Sequence, residues 1–395
     1  MEYRRFGKTE KKLSVITLGG MRFKHVWDDP RNEIPTDTQE HCNVLVDQAI
    51  KHGINHFETA YGYKKSETAL GRTLNQELKI DRNSYYLMTK GNGHSASAMR
   101  QMVEEQLQTL QTDYFDFYAW HGINNDEILQ QSCASGGAVE ELLKLKEEGL
   151  IKHVGFSTHA PLNVITRTIE TDLFEFVNLH YYYFFQRNKA AIQLAQSKDM
   201  GVFIISPNDK GGQLFKAPEK VRNAIPHATP IQWNARFCLR SPAVHTLSFG
   251  MTENAHFDEM EGIFPSSSFY QDSDLVAKQN LDAMIMDDPF TSFDGYNKTH
   301  EFNEINIAEL LRLRKLWKCY DMLDFAKYRY KELREPNHWV PGVYATKENI
   351  DKIDLAQIPQ GFPIKNLLEE AHLAFYESPI ENHIKKIEPL KLKLI

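Results

Sequence analysis

Eight short apolar runs, separated by amphipathic stretches, dominate residues 14 to 250 and leave few folds open to this chain. They are Ser14 to Met21, His56 to Ala60, Tyr85 to Lys90, Asp116 to His121, Lys152 to Thr158, Phe176 to Tyr182, Val202 to Pro207 and Val244 to Gly250. Runs of this length, apolar throughout, suit strands buried on both faces of a parallel sheet. The segments between them carry the helical period. Residues 37 to 52 are one; residues 96 to 111 place Met99, Met102, Val103, Leu107 and Leu110 on one face; residues 138 to 148 stop before Gly149. Eight strand-then-helix units predict a closed (β/α)8 TIM barrel of the α/β class, with its chemistry at the C-terminal strand ends. A doubly wound sheet would show fewer strands and a glycine-rich loop after the first, and no GxGxxG is present. Residues 1 to 12 read as a small hairpin able to plug the lower end of the barrel.

Beyond Gly250 the pattern changes. Helical periodicity is expected over 272 to 286, over a long stretch from 305 to 332 with Leu310, Leu311, Leu313, Trp317 and Tyr320, and over 365 to 376. At 395 residues the chain exceeds what one core usually serves. The expected division is a barrel over 1–290 and a helical extension over 291–395. A formal net charge of -7 gives no general attraction to phosphate backbones, which argues against nucleic acid as a partner. The apolar stretch Leu13 to Met21 is too short and wrongly flanked for a signal peptide or membrane span, so a cytoplasmic protein is expected. Cys42, Cys133, Cys238 and Cys319 lie more than 80 residues apart, so no CxxC pair exists and no metal site is expected.

Four titratable residues then fall at or just after successive strand ends: Glu58, Tyr63, Lys90 and His121. Any one of them alone reads as a solvated charge or a filler of the rim. All four on one barrel rim form a constellation that can move a proton.

These residues resemble the aldo-keto reductases. The family's Asp-Thr-Ala-x-x-Tyr-Gly-x-Ser-Glu signature is similar to Glu58-Thr59-Ala60-Tyr61-Gly62-Tyr63-Lys64-Lys65-Ser66-Glu67, its lysine to Lys90 in Met88-Thr89-Lys90, and its histidine to His121 in Trp120-His121-Gly122. A bacterial subgroup of predicted oxidoreductases is resembled more closely at His121 to Asn125, Gly155 to His159, Val177 to Tyr182 and Ser206 to Gly212. The resemblance extends over essentially the whole chain. It implies NAD(P)H-dependent reduction of an aldehyde or ketone: hydride reaches the carbonyl carbon, and the alkoxide left behind takes a proton. Tyr63 would be the donor. A free phenol titrates near pH ~10, so a neighbouring ammonium, Lys90, is needed to favour the phenolate, with Glu58 orienting Lys90. His121 would hold the carbonyl oxygen. Three departures stand out: Glu58 for the usual aspartate, Lys64 for the usual glycine, and Ile205 where many members stack an aromatic on the nicotinamide.

For the dinucleotide, the resemblance implies Gly20 and Met21 after the first strand, Ser157, Thr158 and Asn178 at the carboxamide, and Ser206, Pro207, Asp209, Lys210, Gly211 and Gly212 at the pyrophosphate. Gly250, Met251 and Thr252 would follow the last strand. The stretch Met251 to His256 holds no arginine or lysine for a 2′-phosphate, so NADP(H), with NAD(H) as the alternative, rests on the family alone. Tyr320-Asp321-Met322, Lys327 to Tyr330 and Asn337-His338-Trp339 are similar to the subgroup's C-terminal extension, many of whose members carry ferredoxin-type cysteines. Here only Cys319 is nearby, so no iron-sulfur cluster is expected. Aromatic residues gather beside the rim: Phe23, Trp27, Trp120 and Tyr181 to Phe185. They read as packing or as the lining of an apolar substrate mouth. Two other functions fit the same residues: a nicotinamide-binding sensor with weak turnover, and a Schiff-base aldolase using Lys90.

Overall fold

The computed structural model describes residues 1–24, 30–209, 212–265, 272–295, 304–333, 342–356 and 358–377. The chain divides into two compact units, Met1–Lys216 with Ile225–Leu275, and Ala217–Ala224 with Val276–Ile395. The expected boundary at 290 falls inside the second unit.

In the first unit β1 (Tyr3–Arg5) and β2 (Lys12–Ser14) form an antiparallel hairpin. Eight parallel strands follow: β3 (Ile16–Gly19), β4 (His56–Glu58), β5 (Tyr86–Gly91), β6 (Phe115–His121), β7 (Ile151–Ser157), β8 (Phe176–Leu179), β9 (Gly201–Ile204) and β10 (Thr246–Phe249). They close into a barrel in chain order, with β10 returning to pair with β3. This is the expected (β/α)8 architecture. Amphipathic helices lie between the strands, among them Thr36–Lys51, Ala96–Leu110 and Ala138–Glu147. Their starts follow ordinary capping chemistry: Ser95 Oγ accepts from Ala98 N, and Thr229 and Gln232 form a reciprocal capping box with Pro230 in the first turn.

Alternation along the strands decides what faces the barrel axis. Phe117 of β6 packs its ring against His56 of β4, His153 of β7 and Phe176 of β8. With Met88, Ala119 and Phe203 it belongs to a fully buried cluster. Thr17 bridges His56 Nδ1 and the Thr246 hydroxyl at 2.8 and 2.7 Å. One pleat further along each strand, the inward positions become Glu58, Lys90, His121, Ser157, Asn178 and Ser248. The apolar floor and the polar layer above it are therefore set by the same period of two.

The hairpin closes the lower end, as its sequence suggested. Phe6 follows β1 and lies edge-on to Phe117 at 5.3 Å and beside Phe176 at 5.6 Å. Gly7 then turns at φ +53°, where an added Cβ would sit 2.5 Å from Asp199 O, so only glycine lets the hairpin approach this closely.

The second unit is helical, as expected, with Ile307–Tyr320, Leu323–Lys331, Lys347–Asp351 and Ile364–Phe375. The single helix expected over 305–332 is two. Asp321 takes a left-handed conformation, φ 58°, which an aspartate tolerates better than most residues and which ends the first helix. Trp317 packs on Phe375 at 5.6 Å, and Tyr330 meets both the Phe375 and the His372 rings. Arg314 bonds Asp288 and Glu370. Asn337, His338 and Trp339 lie outside the described residues. Among those described, no helix is long and apolar enough to cross a membrane.

Candidate active site

Three of the four proposed catalytic side chains form one hydrogen-bonded group at the C-terminal end of the barrel. Lys90, at the end of β5, is 1% exposed, and Glu58, at the end of β4, is 3% exposed. The Lys90 ammonium is in direct contact with Glu58 Oε1 and donates to Thr59 O at 2.9 Å. Tyr63 arrives from the short turn Tyr61–Tyr63 after β4, closed by Tyr63 N donating to Ala60 O at 2.9 Å. Its hydroxyl lies 3.4 Å from Lys90 Nζ and donates to Glu58 Oε1 at 3.3 Å. His121, the last residue of β6, stands edge-on to the Tyr63 ring at 6.0 Å. Two residues 27 positions apart in sequence, Tyr63 and Lys90, are thus brought within hydrogen-bonding reach.

The Tyr63 phenol is held well above its ordinary range by burial, and the positive charge of Arg22 pulls it part of the way back. At neutral pH it carries its proton.

The glutamate in place of aspartate has a structural account. Glu58 Oε2 accepts at 3.2 Å from Ser248 Oγ, which reaches it from β10 past the intervening strand β3. Opposite both stands Gly19, at the end of β3, where an added Cβ would lie 2.7 Å from Ser248 Oγ and 3.2 Å from Glu58 Oε2. The glycine makes room for the extra methylene, and the serine fixes the second oxygen. Sequence reasoning named neither residue for this role.

A second buried carboxyl braces β5 from outside. Glu67 accepts from Thr89 Oγ1 at 2.6 Å and Gln106 Nε2 at 2.5 Å and pairs with Arg31 at 2.6 Å. Gln106 Nε2 also donates to Lys90 O at 3.2 Å. Burial pushes the Glu67 carboxyl up to about 7, against the pull of these donors. Arg31 in turn lies 3.5 Å above the Tyr61 ring, so the stretch after β3 is tied to the turn that carries Tyr63.

The residues proposed for the cofactor divide into groups. Ser157 and Asn178 are register neighbours on β7 and β8 and both point inward. Asn178 Oδ1 is buried with no hydrogen-bond partner among the described residues. An orphaned amide oxygen on a barrel wall is costly unless a donor reaches it, and a carboxamide NH2 is such a donor. Ser157 Oγ accepts from Gly122 N at 3.1 Å, which leaves its own proton for a ligand. Thr158 turns the other way: its hydroxyl donates to Ile123 O at 2.7 Å and accepts from Ala160 N.

The segment after β9 is shaped by left-handed residues, Ser206 at φ 50° and Asp209 at φ 58°. Pro207 O accepts from Asn234 Nδ2, Asp209 accepts from the Tyr182 hydroxyl at 2.7 Å, and Gly212 N donates to Asp209 O. Asn208 Oδ1 is a second buried oxygen without a partner among the described residues. Lys210 and Gly211, like Trp27, lie outside those residues. Gly20 is buried beside Ser66 and Glu58, and Met21 is half-buried after it. Gly250 abuts Arg22, Met251 is buried, and Thr252 is exposed with its carbonyl bonded to His41. The residues present therefore suit a nicotinamide ring entering the barrel mouth.

The aromatic run does not line that mouth. Tyr181 to Phe185 are all under 9% exposed. Tyr183 packs on Trp233 and Phe237, and Tyr181 stacks on Phe237. A cavity of about 720 Å³ opens elsewhere, at the N-terminal end of the barrel, near Arg4, Arg5 and His245. Its cations are already engaged: Arg4 donates to the carbonyls of Leu239, Ser241 and Val244, and Arg5 pairs with Glu10 and Asp199. Strand N-termini in such barrels serve stability rather than chemistry. Among the described residues, no three His, Cys, Asp or Glu side chains are grouped to hold a metal ion.

Comparison with known proteins shows the family and the fold. The model of the Aldo/keto reductase family matches residues 15–259, more than half of the chain. L-galactose dehydrogenase of Arabidopsis thaliana is 28% identical over 242 residues, covering 57% of this chain and 71% of that protein. D-arabinose 1-dehydrogenase of Saccharomyces cerevisiae is 28% identical over 165 residues, 39% of this chain and 45% of that protein. Among solved structures, the holo form of an aldo-keto reductase from Bacillus halodurans superposes with a TM-score of 0.59 at 20% identity, covering 71% of this chain and 96% of that one. An aldo-keto reductase from Klebsiella pneumoniae in complex with NADPH gives 0.53 at 20% identity, covering 66% and 89%. Those two structural likenesses speak to the fold. The matched family model, together with the eight-stranded barrel and its rim, places this chain in the aldo/keto reductase family of NAD(P)-dependent oxidoreductases.

Proposed function

We propose that this protein reduces an aldehyde or ketone to the alcohol, with Tyr63 as the proton donor. The observation that carries the reading is the buried cluster in which Tyr63 Oη lies 3.4 Å from Lys90 Nζ while Glu58 holds the ammonium in place. The bound dinucleotide supplies the hydride. Tyr63 gives its proton to the oxygen of the reduced carbonyl, and the Lys90 ammonium stabilises the phenolate that remains. Glu58 keeps Lys90 aimed at the phenol, and Ser248 keeps Glu58 from turning away. His121, beside the phenol ring, donates to the carbonyl oxygen and sets its approach.

Asn178 Oδ1 and Ser157 Oγ take the carboxamide, the segment 206–212 takes the pyrophosphate, and Gly20, Met21 and Gly250 to Thr252 border the ribose and adenosine side. NADP(H) is the favoured cofactor, since a family relative of the same fold has been solved with NADPH. NAD(H) is the alternative. Ile205 replaces a stacking aromatic, so the ring is held by its carboxamide more than by its face.

Tyr63→Phe tests the assignment. Carbonyl reduction falls by at least ~100-fold, the range of a lost general acid, while fluorescence titration with NADPH and NADH returns nearly the parental affinities. Loss of dinucleotide binding in this variant would make Tyr63 structural instead.

A further inference from the structure

Among the described residues, charges around the barrel mouth do not balance. Glu58 is taken by Lys90 and Glu67 by Arg31, while Asp209 accepts from Tyr182. Two cations near Tyr63 have no such partner among the described residues. Arg22 ends the short turn Gly20–Arg22 that follows β3, is exposed, and makes no ion pair or hydrogen bond among the described residues. Its stem crosses to β10: a Cβ on Gly250 would lie 2.7 Å from Arg22 Cγ and 3.2 Å from Arg22 Cβ. The turn that carries it leaves the rim beside β4: Gly19 is in register with Glu58, and Gly20 abuts Ser66 Oγ and the Glu58 carbonyl, so Arg22 and Tyr63 rise from neighbouring strand ends, and the Arg22 charge draws the phenol down against burial. Lys64 is joined to Tyr63 itself, is likewise exposed, and sits at φ 56°, ψ -115°, a conformation that suits glycine and is costly for lysine.

We propose that Arg22 is the specificity-determining contact for a carbonyl substrate that carries a carboxylate near its reacting carbon, with Lys64 adding to the same positive field. This rests on the proposed reductase function and names its substrate class. The geometry follows from the reaction. The carbonyl oxygen must lie within hydrogen-bonding distance of Tyr63 Oη, so a carboxylate a few bonds away comes within reach of the guanidinium on the turn after the neighbouring strand β3. A guanidinium offers two parallel N–H donors that match a carboxylate, and the exposed position of Arg22 lets it meet a ligand without leaving a protein partner unpaired. The phosphates of the dinucleotide lie a full ribose away from the reacting carbon and have the segment after β9 to receive them.

The test compares 4-carboxybenzaldehyde with 4-nitrobenzaldehyde, which differ at one substituent. In the parental enzyme kcat/KM favours the carboxylated aldehyde. In Arg22→Met the ratio of the two kcat/KM values falls about 10- to 100-fold, the range of a charge-assisted hydrogen bond, chiefly through KM. In Arg22→Lys it falls less, and in Arg22→Glu it inverts. An unchanged ratio in Arg22→Met overturns the proposal. So does a loss of NADPH affinity equal to the loss in kcat/KM, which would assign Arg22 to a cofactor phosphate. If the parental enzyme reduces neither aldehyde, the reductase reading fails. Calorimetric binding of terephthalate to the NADPH-loaded protein then decides on Arg22 separately: binding lost in Arg22→Met supports the contact, and binding retained removes it.

Discussion

Replacing Lys90 by methionine measures what the fold loses when the buried Lys90–Glu58 pair is broken on one side. Methionine keeps most of the volume and flexibility of the lysine stem, so little cavity is created. What changes is electrostatic: Glu58, 3% exposed, loses the ammonium and, among the described residues, retains the Ser248 hydroxyl at 3.2 Å and the Tyr63 hydroxyl at 3.3 Å. Both bonds are long, so they offset little of the loss. Breaking a buried pair on one side costs about 3–5 kcal/mol, a large part of the ~5–15 kcal/mol that holds a domain together. Removing both charges is different, because no buried ion is left behind; Lys90→Met with Glu58→Gln should return to within ~2 kcal/mol of the parent. Urea unfolding at pH 7, followed by circular dichroism, reads the three proteins side by side. High salt should not narrow the gap, since a pair this deep is poorly screened. A single variant that loses under ~1 kcal/mol, or a double variant as unstable as the single, would refute the premise that Glu58 is an ion with one principal partner.

Two further outcomes concern the barrel floor. Burial holds His56 down to about 3 and His245 down to about 4, so below the ordinary histidine range the unfolded chain takes up protons that the native one refuses. Stability is thus full above pH ~6.5 and falls on acidification by up to ~1.4 kcal/mol per pH unit for each such histidine. In His56→Gln the acid limb of a stability–pH curve should be shallower by about one proton; an identical slope would mean that His56 titrates in the folded protein. Phe6→Ala should cost roughly 3–5 kcal/mol by opening the lower plug, seen as a lower urea midpoint with an unchanged slope.

Strand positions were legible as short apolar runs between helical periods, and the proposed quartet as titratable residues at or just after their ends. Once Lys90 and His121 are placed at strand ends, alternation alone brings Ser157 and Asn178 to the same layer. The supports around them were not legible. Ser248 is an ordinary strand serine until the barrel closes β10 on β3 and sets it against Glu58. Gly19 reads as one of two adjacent glycines, and its value lies in a side chain 39 positions away. Arg22 stands next to residues assigned to the cofactor, but only its placement over Gly250 and beside Tyr63 shows it as an unmatched charge. In the second unit the periodic pattern continued through Asp321, because a left-handed residue changes the backbone without interrupting the hydrophobic period.

The hairpin and its phenylalanine leave the barrel with a single doorway. Phe6, Phe117, Phe176 and Phe203 are all without exposure, so the floor beneath the polar layer is closed to bulk solvent. If Tyr63 is the donor proposed above, its proton returns from the rim, past the place where reactants would sit. On the proposed reading, a reactant seated in that mouth stands between Tyr63 and the solvent that returns its proton, so recharging of the phenol waits on departure of the alcohol.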